Sequence, residues 1–294
     1  MSTELPQPDD AALTHSQQLA AHIHEVILIA GGWLPFSAYM DLALYAPGLG
    51  YYSAGARKLG PAGDFVTAPE ISPLFSQCIA GQCAEVLAGL DDGVIRELGA
   101  GSGVMAADIL LELAELGQLP SAYLILEPSA DLRERQAQTL AAKAPDLRDR
   151  VQWLDAAPEG GINGVIVANE VADALAVERF VVTAAGLQEQ GVISADGELV
   201  LDNRPARPEV RNAIEALQVE LGKQFPEGYT SEVCLRLPAW VAALGDWLNA
   251  GAALLIDYGF SRREYYLPER SSGTLRCFYR HRAHDDALLW PGLQ

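Results

Sequence analysis

Apolar positions along the chain follow two patterns, with helical spacing near the start and short unbroken runs from Val94 onward. The helical spacing predicts helices over residues 12–30, 34–48 and 72–90. The unbroken runs predict strands that alternate with helices, at Val94–Leu98, Tyr123–Leu126, Val151–Leu154, Gly164–Ala168, Ala252–Ile256 and Thr274–Tyr279. Strands without a polar face suit a sheet covered on both sides, and regular alternation indicates parallel pairing. The pattern therefore predicts an α/β fold with a mostly parallel, doubly wound sheet.

One connection, between strands Gly164–Ala168 and Ala252–Ile256, is longer than a crossover helix requires. Its first half alternates as antiparallel strands do, with a hairpin turn at Ala195-Asp196-Gly197, and helices are predicted near 208–222 and 237–249. We therefore divide the chain into an N-terminal extension of helices and a long loop (1–92), an α/β core (93–174 and 236–294), and an inserted α+β subdomain that we assign to substrate or partner binding (175–235).

The composition bounds the class of protein. The chain has 294 residues, of which 50% are hydrophobic, and it contains no apolar run of about 18 residues that would cross a membrane. Its acidic start, MSTELPQPDD, lacks the basic region of a secretory signal or a transit peptide. The four cysteines form no C-x-x-C pair, and the histidines lack a third ligand nearby. We expect a cytoplasmic protein without stable membrane insertion, with reduced cysteines and no metal site.

The net charge of −19 bears on the partners. Such a field repels polyanions, so nucleic acid is not expected as a substrate, whereas a basic protein segment would be attracted. Acidity of this size also occurs for solubility alone. A protein substrate is therefore favoured, and a homodimer is left open.

A glycine-rich turn follows the first predicted core strand, in the order Glu97-Leu98-Gly99-Ala100-Gly101-Ser102-Gly103. Glycines there let the backbone approach a ligand closely, and the helix start offers free N–H groups. A dinucleotide-binding turn would have glycine at the sixth position from Gly99, where this chain has Val104. The alternating glycines instead match the S-adenosylmethionine (SAM) turn, although a simple strand–helix turn remains the alternative.

Two further polar groups follow predicted strands. Glu127 comes directly after the predicted strand Tyr123–Leu126. A carboxylate at this position can accept hydrogen bonds from both hydroxyls of a ribose. The alternative is that Glu127 is an exposed acid that caps the following helix. Asn169, Glu170 and Asp173 follow the fourth strand, where they are suited to align an acceptor nitrogen or a guanidinium for methyl transfer. Asp173 serves equally well as a cap for a following helix.

The long loop contains Gly63-Asp64-Phe65-Val66-Thr67-Ala68-Pro69-Glu70. The functional interpretation is that Asp64 and Thr67 cover the cofactor and exclude water. The local alternative is that Asp64 and Thr67 cap the helix that follows, with Glu70 completing a capping box with Thr67.

Several segments together resemble the MidA-type family of SAM-dependent methyltransferases: YAPGLGYYSAG, GDFVTAPEISPLF, ELGAGSG, YLILEPSADLRERQ, NEVADALAVERF, LLIDYGF and EYYLPERSSGTLRCFYRH. They span roughly residues 35–290. The resemblance implies a class I (Rossmann-like) SAM-methyltransferase fold and SAM as cofactor. For the mitochondrial relatives it also implies arginine methylation of an NADH dehydrogenase (complex I) subunit and a role in assembly.

The sequence differs from the usual family pattern in two places. The family usually carries a Leu-Leu pair and a proline where this chain has Val171-Ala172 and Ala176, and its members continue past Gln294. The predicted site combines Glu97, Gly99, Gly101, Gly103, Glu127, Asp64 and Thr67 for the cofactor with Asn169, Glu170 and Asp173 for catalysis. The alternatives are a scaffold protein that keeps a SAM-binding fold without catalysis, and a small-molecule or nucleic-acid methyltransferase.

Overall fold

The computed structural model describes residues 5–53, 66–156 and 160–294. The helices in this part are α1 (Asp10–Ile29), α2 (Phe36–Tyr45), α3 (Ala68–Ile71), α4 (Pro73–Leu87), α5 (Val104–Glu115), α6 (Ala130–Lys143), α7 (Pro208–Leu221), α8 (Leu237–Asp246) and α9 (Arg262–Tyr265). The strands are β1 (Leu34–Pro35), β2 (Val94–Leu98), β3 (Tyr123–Leu126), β4 (Val151–Leu154), β5 (Ile162–Asn169), β6 (Glu178–Thr183), β7 (Gly186–Ala195), β8 (Glu198–Pro205), β9 (Thr230–Val233), β10 (Leu248–Ile256), β11 (Cys277–Tyr279) and β12 (Arg282–His284). None of these helices has both the length and the apolar character to cross a bilayer.

The described chain divides into two compact units. The first unit contains residues 5–53, Leu175–Leu237 and Gly259–Gln294. The second contains residues 66–156, 160–174 and Pro238–Tyr258. All the described residues that we predict to form the site belong to the second unit.

The second unit is built on a five-stranded sheet in the order β10-β5-β2-β3-β4, and every neighbouring pair is parallel. The chain moves outward from β2 through β3 to β4 and then returns to the other side of β2 with β5. The order therefore reverses between β2 and β5, and open α/β sheets bind ligands outside the carboxyl ends of the strands at such a point. The predicted parallel α/β fold is confirmed.

Alternation along the central strands sorts side chains to two buried faces of this sheet. On β5, Val165 and Val167 pack in a core formed with α4, α5 and α6, whereas Ile166 and Ala168 pack with Leu244 of α8. All four are at most 3% exposed. Because both faces bury apolar side chains, the strands read as unbroken apolar runs in the sequence.

The first unit contains an antiparallel sheet in the order β1-β7-β6-β9, with β8 paired to β7. The predicted turn joins β7 to β8, where Asp196 and Gly197 have φ of +52° and +84°. Positive φ at both central residues gives the hairpin the twist of its strands, and Asp-Gly is favoured there. The three antiparallel strands predicted in the insertion are all present.

The structure departs from the predicted division in two places. Residues 66–92 belong with the parallel sheet rather than with α1 and α2, because α4 packs against the same core as α5. Residues 259–294, predicted as part of the α/β core, cluster with the first unit. The strand predicted at Thr274–Tyr279 is shorter, and it pairs antiparallel with β12 in a separate two-stranded sheet. The sequence pattern did not predict β9 or the short β1.

Candidate active site

The turn after β2 has an unusual backbone. Gly99, Gly101 and Gly103 have φ of +62°, +54° and +81°, the left-handed region that other residues rarely adopt. Gly103 stands at the N-cap of α5, and a Cβ on it would lie 2.9 Å from the Cα of Gln136. This position therefore needs glycine both for its conformation and for the close approach of α6.

Glu127 lies beside this turn and is only 4% exposed, so it is not the exposed capping acid that the sequence left open. Its Oε1 accepts a hydrogen bond from the backbone N–H of Ser129 (3.0 Å), and its Oε2 accepts from Nε2 of Gln136 (3.2 Å). The same Gln136 amide donates to the carbonyl of Gly101 at 3.1 Å. Gln136 thus couples Glu127 to the glycine turn, while burial raises the pKa of Glu127.

Glu97 is the next-to-last residue of β2 and is fully buried. Its Oε2 accepts a hydrogen bond from the hydroxyl of Tyr123 at 2.6 Å, whereas Oε1 has no hydrogen-bond partner among the described residues. Burial raises the pKa of Glu97 to about 7, against the effect of the Tyr123 hydrogen bond. A buried carboxylate oxygen without a donor is costly and indicates a missing partner.

The residues of the long loop that we predicted to cover the cofactor differ in their contacts. Asp64 lies outside the described residues. Thr67 stands at the N-cap of α3, but its side chain makes no capping hydrogen bond in the described part of the chain. Glu70 instead accepts a hydrogen bond from the hydroxyl of Ser102 in the glycine turn. The predicted capping box of Thr67 and Glu70 is therefore wrong, and Glu70 ties α3 to the turn.

Glu170 follows β5 with φ of +52°, a conformation that is strained for a residue with a Cβ. Its backbone N–H donates to the carbonyl of Ile256 at 2.9 Å. The Nδ2 of Asn169 donates to its Oε1 at 3.4 Å. Strained residues cluster at functional sites, so the backbone conformation of Glu170 supports a role beyond packing.

Asp173 lies close to Glu170 and to Asp257, which follows β10. Burial and the charge of Asp257 raise the pKa of Asp173 to about 6, and burial and Asp173 raise the pKa of Glu170. No helix begins after Asp173, since the next described element is β6, so the capping alternative is wrong. The structure thus brings Asn169, Glu170 and Asp173 together at one end of the sheet.

The sequence did not assign Asp257, Tyr258, Gln136 or Ser102 to the site, and it gave Glu70 only a capping role. Two of these had a signal in the sequence, because Asp257 and Tyr258 follow β10 as Asn169 and Glu170 follow β5. Parallel neighbours deliver the residues after them to the same edge of a sheet. The contacts of Gln136, Ser102 and Glu70 depend on helix packing, for which the sequence offered no signal.

The fold and these residues define a class of protein. A parallel sheet in this order, a glycine turn after β2 and a buried acid after β3 are features of the class I SAM-methyltransferase fold. Residues 78–294 match the model of a family described as "Putative S-adenosyl-L-methionine-dependent methyltransferase". The chain therefore belongs to this methyltransferase family.

Several known proteins are similar to the chain. The mitochondrial protein arginine methyltransferase NDUFAF7 of Danio rerio is 28% identical over 90% of this chain and 66% of its own length. The protein of the same name from Mus musculus is 30% identical over 89% of this chain and 63% of its own length. The chain thus spans slightly less than two thirds of these curated relatives.

A solved structure is more similar still. A crystal structure of a protein from Burkholderia thailandensis, bound to S-adenosyl-homocysteine, is 46% identical with a TM-score of 0.92, and the match covers 99% of this chain and 75% of that one. A native structure from the same organism is 45% identical with a TM-score of 0.89, and the match covers 99% of this chain and 74% of that one. The expected fold class is therefore confirmed.

Proposed function

We propose that the chain binds SAM at the carboxyl edge of the parallel sheet and transfers its methyl group to a nitrogen of a protein arginine. The observation that carries the proposal is the pair of carboxylates Glu170 and Asp173 after β5, with Asp257 after β10 beside them. Among the described residues, none of the three makes an ion pair. Unpaired carboxylates beside a cofactor site suit a guanidinium acceptor.

The cofactor would be held by residues whose chemistry fits it. Each carboxylate oxygen of Glu127 has one protein donor and retains acceptor capacity for a ribose hydroxyl. The glycine turn would lie under the ribose and the methionine part, and Oε1 of Glu97 offers an acceptor that no described residue uses. Asp64 and Thr67 would cover the cofactor. Bound SAM supplies a methyl group already activated on a sulfonium, so the chain needs no nucleophile or metal.

The acceptor would be held by Glu170, with Asp173 and Asn169. Glu170 would accept bidentate hydrogen bonds from the guanidinium, Asn169 would restrain the Glu170 carboxylate, and Asp173 would add a second charge. These contacts would align the nitrogen lone pair with the methyl group of SAM. Holding the two reactants in this orientation is the main contribution that the chain would make to the rate of transfer. The ionised form of this cluster is the one that binds a cation.

The acceptor that we propose is a basic protein. Two relatives named protein arginine methyltransferases support a protein acceptor, and the net charge of −19 favours a basic one. Following the family resemblance, we propose a subunit of NADH dehydrogenase, whose methylation would aid assembly of that complex in the cytoplasm. The inserted strands β6–β8 would bind this partner, and shortening the Asp196–Gly197 turn should weaken partner pull-down without changing SAM affinity.

Transfer of labelled methyl groups tests the proposal. The purified chain is incubated with labelled SAM and two matched peptide pools, one containing arginine and one with lysine in its place, and a cell extract rich in NADH dehydrogenase serves as a third acceptor. We expect label recovered as methylarginine, from the arginine pool and the extract only. Label on another residue would contradict arginine specificity. SAM binding with no transfer to any acceptor would favour the scaffold alternative.

A further inference from the structure

Asp257 holds the backbone of the neighbouring strand end with its side chain. Its Oδ2 accepts hydrogen bonds from the backbone N–H groups of Ala172 (2.9 Å) and Asp173 (3.1 Å). Its Oδ1 accepts from the N–H of Tyr258 at 2.8 Å. Three main-chain donors thus occupy one carboxylate, an arrangement that fixes the positions of both chain segments.

The segment that Asp257 holds contains the strained residue of the site. Glu170 has φ of +52°, and its own N–H is held by the carbonyl of Ile256 at 2.9 Å. Ala172 and Asp173, which follow Glu170 by two and three residues, donate their backbone N–H groups to the carboxylate of Asp257. Left-handed backbone at a residue with a Cβ persists only where its surroundings restrain it from both sides. Here Ile256 and Asp257, consecutive residues at the end of β10, supply both restraints.

The three carboxylates of the cluster differ in what occupies them. Both oxygens of Asp257 already accept from backbone N–H groups. Asp173 has a local backbone donor in the N–H of Ala174. Among the described residues, the partners of the Glu170 carboxylate are two side chains, Asn169 and Tyr258. Asp257 is therefore the carboxylate least available to a ligand, whereas Glu170 has no main-chain donor among the described residues.

We infer that Asp257 is a positioning residue that fixes the turn of Glu170 and Asp173, so that these two carboxylates face the methyl acceptor. The inference rests on the proposed function for what the turn binds, but the restraint itself is a property of the chain. Asp257 also acts through its charge, since it raises the pKa of both Asp173 and Glu170. Tyr258 completes the group with a hydrogen bond to Glu170.

Two substitutions separate the restraint from the charge. Asp257→Ala removes every acceptor, whereas Asp257→Asn keeps an oxygen for Ala172 and Asp173 but loses the charge and the bond to Tyr258. Amide hydrogen exchange at Ala172 and Asp173 reports the restraint without any substrate. Steady-state methyl transfer and its pH profile report the consequence, and Asp246→Asn, at an exposed end of α8, serves as control.

We expect exchange at Ala172 and Asp173 to become at least about tenfold faster in Asp257→Ala and to change by less than about threefold in Asp257→Asn. Transfer should follow, with kcat lower by about 100-fold in the alanine variant and KM for SAM unchanged. In Asp257→Asn, kcat should largely survive and the acid limb of the pH profile should move to lower pH.

Unchanged exchange in Asp257→Ala would overturn the inference, and it would do so whether or not the chain transfers methyl groups. Equal losses of kcat in both variants, with the acid limb unmoved, would also overturn it, because Asp257 would then act by touching the acceptor. Faster exchange in a chain that methylates nothing would leave the positioning of the turn intact and contradict the proposed function alone.

Discussion

Buried carboxylates occur in both units, and the cations around them differ. In the first unit, Arg207 donates to both oxygens of Glu189 and pairs with Glu178 at 3.1 Å, while Arg179 pairs with Glu232 at 3.6 Å. In the second unit, Glu97 and Glu127 are as deeply buried, yet neither they nor Glu170, Asp173 and Asp257 form an ion pair with a described residue. The carboxylates of the first group are ion-paired, whereas no carboxylate of the second group forms an ion pair with a described residue. Asp108 of the second unit lies outside this group and pairs with Lys143 at 2.7 Å, and Arg133 acts on the carboxylate of Glu127 through its charge alone.

The difference separates structural carboxylates from those suited to a ligand. A buried charge without a counter-charge is costly and responds by a shift of pKa. Burial accordingly raises the pKa of Glu97, Glu170 and Asp173. A sulfonium cofactor and a guanidinium acceptor would both supply the positive charge that Glu97, Glu170 and Asp173 do not receive from an ion pair with a described residue. The proposed function thus explains why these carboxylates are left unpaired.

The largest effect is expected from removing the cation of the ion-paired carboxylates in the first unit. Arg207→Ala leaves Glu189, whose side chain is 1% exposed, without its cation, and should lower the free energy of unfolding by about 3 kcal/mol. The partial exposure of Arg207 keeps this at the lower end of the range for a buried pair. Chemical denaturation measures it, with Arg211→Ala on α7 as control, since Arg211 makes one long bond to Ala206. A decrease of less than about 1 kcal/mol in the free energy of unfolding would show that the buried Glu189 does not need Arg207 as its counter-charge.

The second prediction removes one charge from the unpaired group. Glu170→Gln should lower methyl transfer by about 100-fold, because a neutral amide cannot accept two bonds from a guanidinium. SAM affinity should change by less than about threefold, and stability should hardly change. Labelled transfer and calorimetry measure the two effects, with Glu115→Gln at the exposed end of α5 as control. Equal losses in binding and transfer would place Glu170 in the cofactor site instead.

A third change tests the ribose contact. Glu127→Gln should weaken SAM binding by about 30-fold, the loss expected for a charge-assisted hydrogen bond. A cofactor analogue without ribose hydroxyls should bind the variant and the parent equally. If the analogue distinguishes them, Glu127 acts through Gln136 and the glycine turn rather than on the ribose.

The fourth prediction concerns the pH dependence of transfer. The pKa of Asp173 is raised to about 6 and that of Glu170 is also raised, so protons persist on this cluster to higher pH than usual. A cationic acceptor binds the ionised form, with Asp257 and Tyr258 as the other titratable groups facing it. The kcat/KM should therefore rise through about pH 6, by about tenfold per unit below it, and level off above about pH 7. A flat profile from about pH 5 to about pH 8 would contradict the role of the cluster.

The smallest expected effect is a proton released on cofactor binding. Glu97 has a pKa of about 7, and a bound cation nearby would lower it, so SAM affinity should rise several-fold from about pH 6 to about pH 8. Glu97→Gln keeps the hydrogen bond from Tyr123 and should abolish this dependence. Calorimetry in buffers of different ionisation enthalpy counts the proton. Equal pH dependence in both proteins would assign the proton to another group.

The sequence predicted the parallel strands well because their periodicity is strong. The predicted bounds of β2, β3 and β4 are those of the structure, and β5 and β10 extend beyond their predictions. Glycines alternating after β2 and a lone acid after β3 also lie at the carboxyl edge of the sheet, where we propose that the cofactor binds. These features are local, since each depends on a strand and the residue after it.

The rest of the site depends on contacts between distant segments. Asp257 binds backbone N–H groups much earlier in the chain, at a separation of 84 and 85 residues. The apolar run at Thr274–Tyr279 looked like another core strand, yet β11 pairs with β12 in its own hairpin. The backbone partners of Asp257 are not encoded in local spacing, and the charge state of Glu97 follows from burial by helices that the sequence does not place.

Calorimetric titration with SAM of the purified chain and of its Gly103→Val variant tests whether the glycine turn binds the cofactor. A side chain at position 103 meets both a left-handed φ of +81° and the backbone of Gln136, which holds Glu127. We expect micromolar-range binding by the parent and loss of binding in a variant that remains folded. Absence of binding by the folded parent, or equal binding by both proteins, would contradict a cofactor site at this turn.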